Sequence, residues 1–382
     1  MSGDELCDLE ISALAPLLRE KQLSPVELTN AYLARIDRLD PSLNSYIRVL
    51  PELALAAARQ AEEELRGGGW RGPLHGVPVG IKDLFDLAGV PTTMGSTILR
   101  DNVPRLDATV VSRLETAGAV ILGKHNLHEF AFGITSENPH YGPVHNPWDL
   151  DRVPGGSSGG TAAAVAAGLC AAGLGSDTGA SIRAPASFCG TVGLKPTYGR
   201  VSRAGALPLA WSLDHAGPLA RSVADCAAML QAIAGYDPRD PASSTEPVPD
   251  FSAQLASGVA GLRVGIPREY FFEIVEPDVD RLVREAISVL EQLGARVEEV
   301  SLSHVSHAQV AGNVIMSSEA AAWHHDWLRE RPHEYGPDVL QRIRGGLLVH
   351  ATEYLHSQQM RTLIQQDFAA AFERAAAFEC VG

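Results

Sequence analysis

Apolar residues recur at helical spacing across Leu14–Leu39, and the run breaks once, at Ser24-Pro25. Ser24 as N-cap, Pro25 at the first helical position and Glu27 at the third predict a new helix there. The hydroxyl accepts an orphan N–H, and proline lacks an N–H that would have had no partner. Leu53–Leu65 predicts a further amphipathic helix, stopped by Gly67-Gly68-Gly69. Residues 1–70 are therefore read as a helical region packing on a core that occupies 71–382.

From Gly72 the pattern changes. Val77–Lys82 predicts a short strand with Lys82 near its end, and Asp107 is placed as the cap of a helix over Ala108–Ala117. Ala119–Gly123 is apolar without alternation, the mark of a strand covered on both faces. A helix over Ser158–Gly168, a strand over Ala171–Gly175, a short apolar run at Val192–Leu194 and a helix over Val223–Ile233 capped by Ser222 follow. Asp237–Asp250, rich in Pro, Asp and Ser, reads as a loop or linker. Beyond it come a strand over Leu262–Ile266, a helix over Pro277–Leu293, a strand over Ala295–Val300 and a mainly helical Ser306–Phe378. Helices alternating with apolar strands predict an α/β fold, with a mixed, largely parallel central sheet covered by helices on both faces.

Charge narrows the partners. With 31 Lys and Arg against 46 Asp and Glu the formal net charge is −15. No basic run offsets it, which argues against direct nucleic-acid binding. Five cysteines without metal-ligand spacing suit free thiols in a reducing compartment. The acidic N-terminus has no signal-peptide apolar region, and the most apolar window, Ala162–Leu174, is too short to span a bilayer. A cytoplasmic protein that does not enter membranes is expected.

The chemistry concentrates in Pro154-Gly155-Gly156-Ser157-Ser158-Gly159-Gly160 and Asp177-Thr178-Gly179-Ala180-Ser181-Ile182-Arg183. Glycines let a backbone turn tightly and bring N–H groups to one point, where they can hold an oxyanion. Ser181 is the candidate nucleophile. Lys82 is the candidate base: burial would lower an amine from its usual value of about 10.4 until it accepts a proton near neutrality. Ser157 relays the proton, because a hydroxyl donates and accepts at once. Ser158 supports Ser157, and Asp177 orients backbone amides or Arg183. A phosphate cradle is the competing reading of the glycine loop, although no lysine follows the second glycine pair as a Walker A loop requires. His304, His307, His324 and His325 are read as partly exposed helix or loop residues rather than metal ligands. His125 and His128 are read as satisfied polar groups near the core, and Trp323 and Trp327 as a packed helix face or a tunnel wall.

With Gly80-Ile81-Lys82-Asp83, Gly123–Phe130 and Gly190–Thr197 added, the chain resembles the amidase signature family from Leu14 to Phe378. The resemblance implies that Ser181 forms an acyl-enzyme and that Ser157, after a cis peptide, bridges to a neutral Lys82. It also implies an oxyanion hole of the Thr178, Gly179, Ala180 and Ser181 N–H groups, and no metal or organic cofactor. The expected function is hydrolysis of a small-molecule carboxylic amide. The alternative within the family is the A subunit of glutamyl-/aspartyl-tRNA amidotransferase, which Val314–Ala320 resembles and whose glutamine-gripping arginine Arg361 would match. Gly312-Asn313 stands where that branch carries tyrosines. A non-catalytic member is the alternative of another class. Assembly is expected as a homodimer, or with partner subunits on the amidotransferase reading. Two departures from the family pattern stand out. Ala180 replaces a glycine, so a negative φ is expected there, and the family's usual C-terminal segment is expected to be missing beyond Gly382.

Overall fold

The computed structural model describes residues 2–378; the thiol of Cys380 lies outside them. In chain order the strands are β1 (Tyr46–Val49), β2 (Pro78–Lys82), β3 (Val120–His125), β4 (Glu137–Asn138), β5 (Gly142–Pro143), β6 (Ala172–Asp177), β7 (Val192–Gly193), β8 (His215–Ala220), β9 (Arg263–Pro267), β10 (Arg296–Val300) and β11 (Ala377–Phe378). The helices are α1 (Gly3–Asp8), α2 (Ile11–Arg19), α3 (Pro25–Leu43), α4 (Pro51–Arg66), α5 (Thr109–Thr116), α6 (Gly159–Ala166), α7 (Arg183–Cys189), α8 (Val223–Ile233), α9 (Pro277–Gln292), α10 (Ala308–Trp323), α11 (His325–Glu330), α12 (Pro337–Gly346) and α13 (Ala351–Phe372). They group into two compact units: residues up to Ser252 with Trp323–Arg342, and Ala253–Ala322 with the residues from Ile343 onward. The chain first passes from one unit to the other just after the Asp237–Asp250 loop.

In the first unit six strands run in the order β1-β3-β2-β6-β8-β7. Only the β2–β3 and β2–β6 pairings are parallel; the β1–β3, β6–β8 and β7–β8 pairings are antiparallel. The sheet is mixed, as expected, but not largely parallel. Parallel neighbours need a helical crossover, and among these six strands α5 and α6 supply the two that lead into β3 and β6. Every residue of β2, β3 and β6 is buried, so both faces of the centre are covered. Helix α4 packs against β3, α6 against β6 and α8 against β8. The first 70 residues are not purely helical either, because β1 forms the edge of this sheet.

Local signals explain several boundaries. Helix α8 spans the residues predicted for it, and the Ser222 hydroxyl accepts the Asp225 N–H at 3.2 Å. Ser24 accepts the N–H groups of Val26 and Glu27 and donates to Glu62 on α4. Asp107, by contrast, does not cap α5. Its carboxylate accepts the Ala88 N–H at 2.7 Å, and Ala108 occupies the cap position without a side-chain bond. Helix α2 is capped from a distance: Asp225 on α8 accepts the Ile11 and Ser12 N–H groups at 2.9 and 3.2 Å. A carboxylate placed there also complements the helix dipole.

The second unit holds the parallel sheet β10-β9-β11 and helix α9. Here His304 pairs with Asp367 at 3.1 Å. Among the described residues no group of His, Cys, Asp and Glu is arranged to hold a metal ion. No described helix is long and apolar enough to cross a membrane.

One expectation about histidines fails. His324 is fully buried, with its ring edge-on to Phe130 at 4.4 Å and near Trp323, Trp327 and Tyr335. Its Nδ1 meets the Tyr335 hydroxyl at 2.8 Å, and burial pushes the imidazole down to about 3. Both tryptophans pack against Phe130, which closes an aromatic cluster across distant parts of the chain.

Candidate active site

Strands β2 and β6 lie side by side, with Ile81 paired to Leu174. This register brings Lys82, at the end of β2, beside Ser176, near the end of β6. The Lys82 Nζ lies 2.7 Å from Ser157 Oγ, 2.9 Å from Ser158 Oγ and 2.8 Å from Ser176 Oγ. Lys82, Ser157 and Ser158 are fully buried. Desolvation therefore pushes the amine down to about 7, against the pull of Asp177 and Asp214, which favour its charged form. The Lys82-Asp83 surface ion pair, the ordinary alternative for adjacent opposite charges, does not form. Asp83 pairs with the buried Lys124 at 3.0 Å instead.

The glycine loop before α6 is held by close packing. The Gly156–Ser157 peptide is cis, and Gly155 has φ 80. A Cβ on Gly155 would stand 2.8 Å from the Pro185 Cα, so only glycine lets this loop meet α7. Ser136 Oγ donates to the Gly155 carbonyl at 2.9 Å and accepts the Gly159 N–H at 3.1 Å. The Ser158 N–H donates to the Ser181 carbonyl at 3.2 Å, which joins the two serine loops.

Ser158 and Ser157 differ in their bonding. Ser158 Oγ donates to the Ser176 carbonyl at 3.1 Å and accepts the Ser176 N–H at 3.3 Å, besides meeting Lys82. Ser157 Oγ bonds only to Lys82 among the described residues. Ser181 is 6% exposed, and its hydroxyl has no hydrogen-bond partner among the described residues.

Asp177 organises the turn that carries Ser181. Its carboxylate accepts the backbone N–H groups of Ala180 (2.9 Å), Ile182 (3.0 Å) and Arg183 (3.3 Å), and the Arg183 guanidinium through Nε (3.1 Å) and one terminal nitrogen (3.0 Å). Burial pushes this carboxyl up, but the guanidinium and amide donors outweigh it and leave it below its ordinary value. Two expectations change here. Ala180 has φ 90, not a negative φ, because its N–H is pinned by Asp177 while its carbonyl accepts the Ala184 N–H at 2.8 Å. The same bond commits the Ala180 N–H to Asp177, whereas the Asp177 carboxylate takes none of the Thr178, Gly179 and Ser181 N–H groups.

A left-handed conformation costs a residue with a Cβ about 1–2 kcal/mol. Ala180→Gly is expected to raise stability by up to about 1 kcal/mol, since glycine's greater freedom in the unfolded chain offsets part of the gain. Urea unfolding of the variant against the parent measures this, and an unchanged or lowered midpoint would show that any strain at Ala180 is no larger than glycine's entropic cost.

A cleft of about 200 Å³ opens against this centre. Ser176, Thr178, Asp214 and His215 line its polar side, and Leu84, Phe85, Ala131, Leu207, Leu209 and Trp211 its apolar side. Burial pushes Asp214 up to about 6 and His215 down to about 4. Ser176 and Asp214 escape the sequence reading. The alternation of β6 was a usable signal for Ser176, since it puts Ser176 and Asp177 on opposite faces of the strand. Nothing local marks Asp214. Arg361 lies on α13 of the second unit, outside the unit that carries the lysine–serine cluster.

A family model described as Amidase matches residues 27–379. The A subunit of glutamyl-tRNA(Gln) amidotransferase from Geobacter sp. (strain M21) is 46% identical over 393 residues, spanning 97% of this chain and 81% of that protein. A solved structure described as an unexpected vestigial protein complex revealing the origins of an s-triazine catabolic enzyme superposes with a TM-score of 0.93. Its sequence is 38% identical, and the match covers 96% of this chain and 80% of that one. A crystal structure described as an amidase gives a TM-score of 0.85 at 36% identity, covering 96% and 80%.

Proposed function

The chain belongs to the amidase family, and from that premise we propose that it hydrolyses a small-molecule carboxylic amide to an acid and ammonia or an amine through an acyl-Ser181 intermediate. The observation that carries the reading is Lys82 Nζ, buried, brought down to about 7 and 2.7 Å from a Ser157 hydroxyl with no other partner among the described residues. An amine uncharged near neutrality has a lone pair for one proton. Ser158 is fully engaged by its own donor and acceptor bonds, so it steadies the amine. Ser157 has the free capacity a relay needs.

Ser181 Oγ attacks the amide carbon as its proton passes to Ser157, and the Ser157 proton passes to Lys82. The carbonyl oxygen gains the negative charge and is held by the Thr178, Gly179 and Ser181 N–H groups. Collapse breaks the carbon–nitrogen bond, and the proton returns from Lys82 through Ser157 to the leaving nitrogen. A water molecule then attacks the ester and gives its proton along the same path. The acid leaves, and Ser181 regains its hydrogen. Asp177 and Arg183 hold the turn and take no proton.

Labelling with a serine-directed fluorophosphonate tests this: a single adduct, mapped by peptide mass spectrometry to Ser181, is the expected outcome. A folded chain that takes no label, or takes it elsewhere, would end the acyl-Ser181 reading and favour a non-catalytic member.

The 46% identity to the A subunit of an amidotransferase supports a second reading, release of ammonia from glutamine alongside partner subunits. Assay of the chain alone separates the two: turnover of simple amides without a partner favours the amidase, and glutamine consumption only on adding partner subunits favours the other. On the second reading Arg361 would grip the glutamine carboxylate.

A further inference from the structure

We propose that Asp214 is a positioning residue of this site: through the Thr178 hydroxyl it clamps the oxyanion turn to the wall of the cleft. The proposal rests on the acyl-Ser181 reading. Asp214 stands immediately before β8, and the register that pairs Asp177 with His215 sets Thr178, the first residue past β6, beside it. Thr178 Oγ1 donates to Asp214 Oδ1 at 2.6 Å. Asp214 Oδ2 accepts the N–H groups of Leu209 and Ala210, each at 3.0 Å. One carboxylate thus ties together the turn that presents the oxyanion donors and the Leu207–Trp211 segment that lines the cleft.

The bond has a functional rather than a general meaning because of where Thr178 lies. Asp177 fixes the far side of the turn, through Ala180, Ile182 and Arg183. The Asp177 carboxylate does not reach the N–H groups of Thr178 or Gly179, two of the three proposed oxyanion donors. The Thr178 hydroxyl is the side-chain tether on that near side. Oxyanion donors lose effect when displaced by a fraction of an ångström, so loss of the tether should weaken the transition state more than the substrate complex.

Thr178→Val, Thr178→Ser, Asp214→Asn and the Asp214→Asn/Thr178→Val double variant test this, with turnover normalised to fluorophosphonate-titrated sites. Thr178→Val is expected to lower kcat by about ten- to a hundred-fold while KM changes by less than about three-fold. Thr178→Ser, which keeps the hydroxyl, should recover most of that loss. The double variant should lose less than the product of the two single losses, since Asp214→Asn weakens the bond that Thr178→Val removes. A parental kcat in Thr178→Val, or losses that multiply in the double variant, would overturn the proposal. If Asp214→Asn does not fold, the valine and serine variants still decide. A wild-type chain that neither turns over amides nor labels at Ser181 overturns the acyl-Ser181 reading as well, whereas an active wild type with an unimpaired Thr178→Val overturns this proposal alone.

Discussion

Ser181→Ala is expected to abolish amide turnover, with kcat lower by about 10,000-fold or more, the scale seen when a nucleophile that acts as part of a unit is removed. The fold should survive. The Ser181 hydroxyl bonds to nothing among the described residues and retains some exposure, so its removal orphans no partner. Thermal unfolding and circular dichroism of the purified variant should therefore overlay the parent while the progress curve goes flat. Parental hydrolysis by this variant would remove the covalent mechanism, whatever the rest of the site does.

Lys82→Met carries the second large effect. General-base catalysis is worth about 100- to 10,000-fold, and kcat/KM should fall within that range at neutral pH. Burial is what lowers the parent amine to about 7, while Asp177 and Asp214 oppose it. The sign follows. Above pH 7 the parent amine is neutral and accepts a proton; below pH 7 it is charged, and the rate should fall about tenfold per unit. The variant should lose the inflection near pH 7, and its deficit should be greatest around and just above neutrality, where the parent amine is neutral, and should narrow at acid pH, where the parent base is itself protonated. An inflection that persists in the variant would assign it to another group. Methionine keeps the length of the side chain but leaves the Ser157, Ser158 and Ser176 hydroxyls without their shared partner, so some loss of thermal stability should accompany the kinetic effect.

What could be read from the sequence follows how local each cause is. Helix α8 was legible to the residue because its cap and apolar stripe are neighbours in sequence. Strand β8 was not, because His215-Ala216-Gly217-Pro218-Leu219-Ala220 has no β-branched residue and contains both glycine and proline. It is a strand because β6 and β7 pair with it from either side. Asp107 has the residue type of a cap and sits where one belongs, yet the Ala88 N–H claims it. Lys82, Ser157 and Ser158 were legible through their glycine settings and converge on one nitrogen. Ser176, the third hydroxyl on that nitrogen, and Asp214 depend on strand register, and register is a long-range property. His324 illustrates the same limit, since its burial comes from Phe130, far upstream.

The three hydroxyls around the Lys82 nitrogen have a chemical consequence beyond proton transfer. An uncharged primary amine at neutral pH is what carbon dioxide, cyanate and reducing sugars react with. A surface lysine is shielded because it is almost wholly protonated. On the acyl-Ser181 reading Lys82 gives up that protection to serve as a base, and its shelter is steric instead: with no surface open to solvent, it offers small electrophiles no line of approach. The enclosure that lowers this amine also keeps it from being chemically consumed.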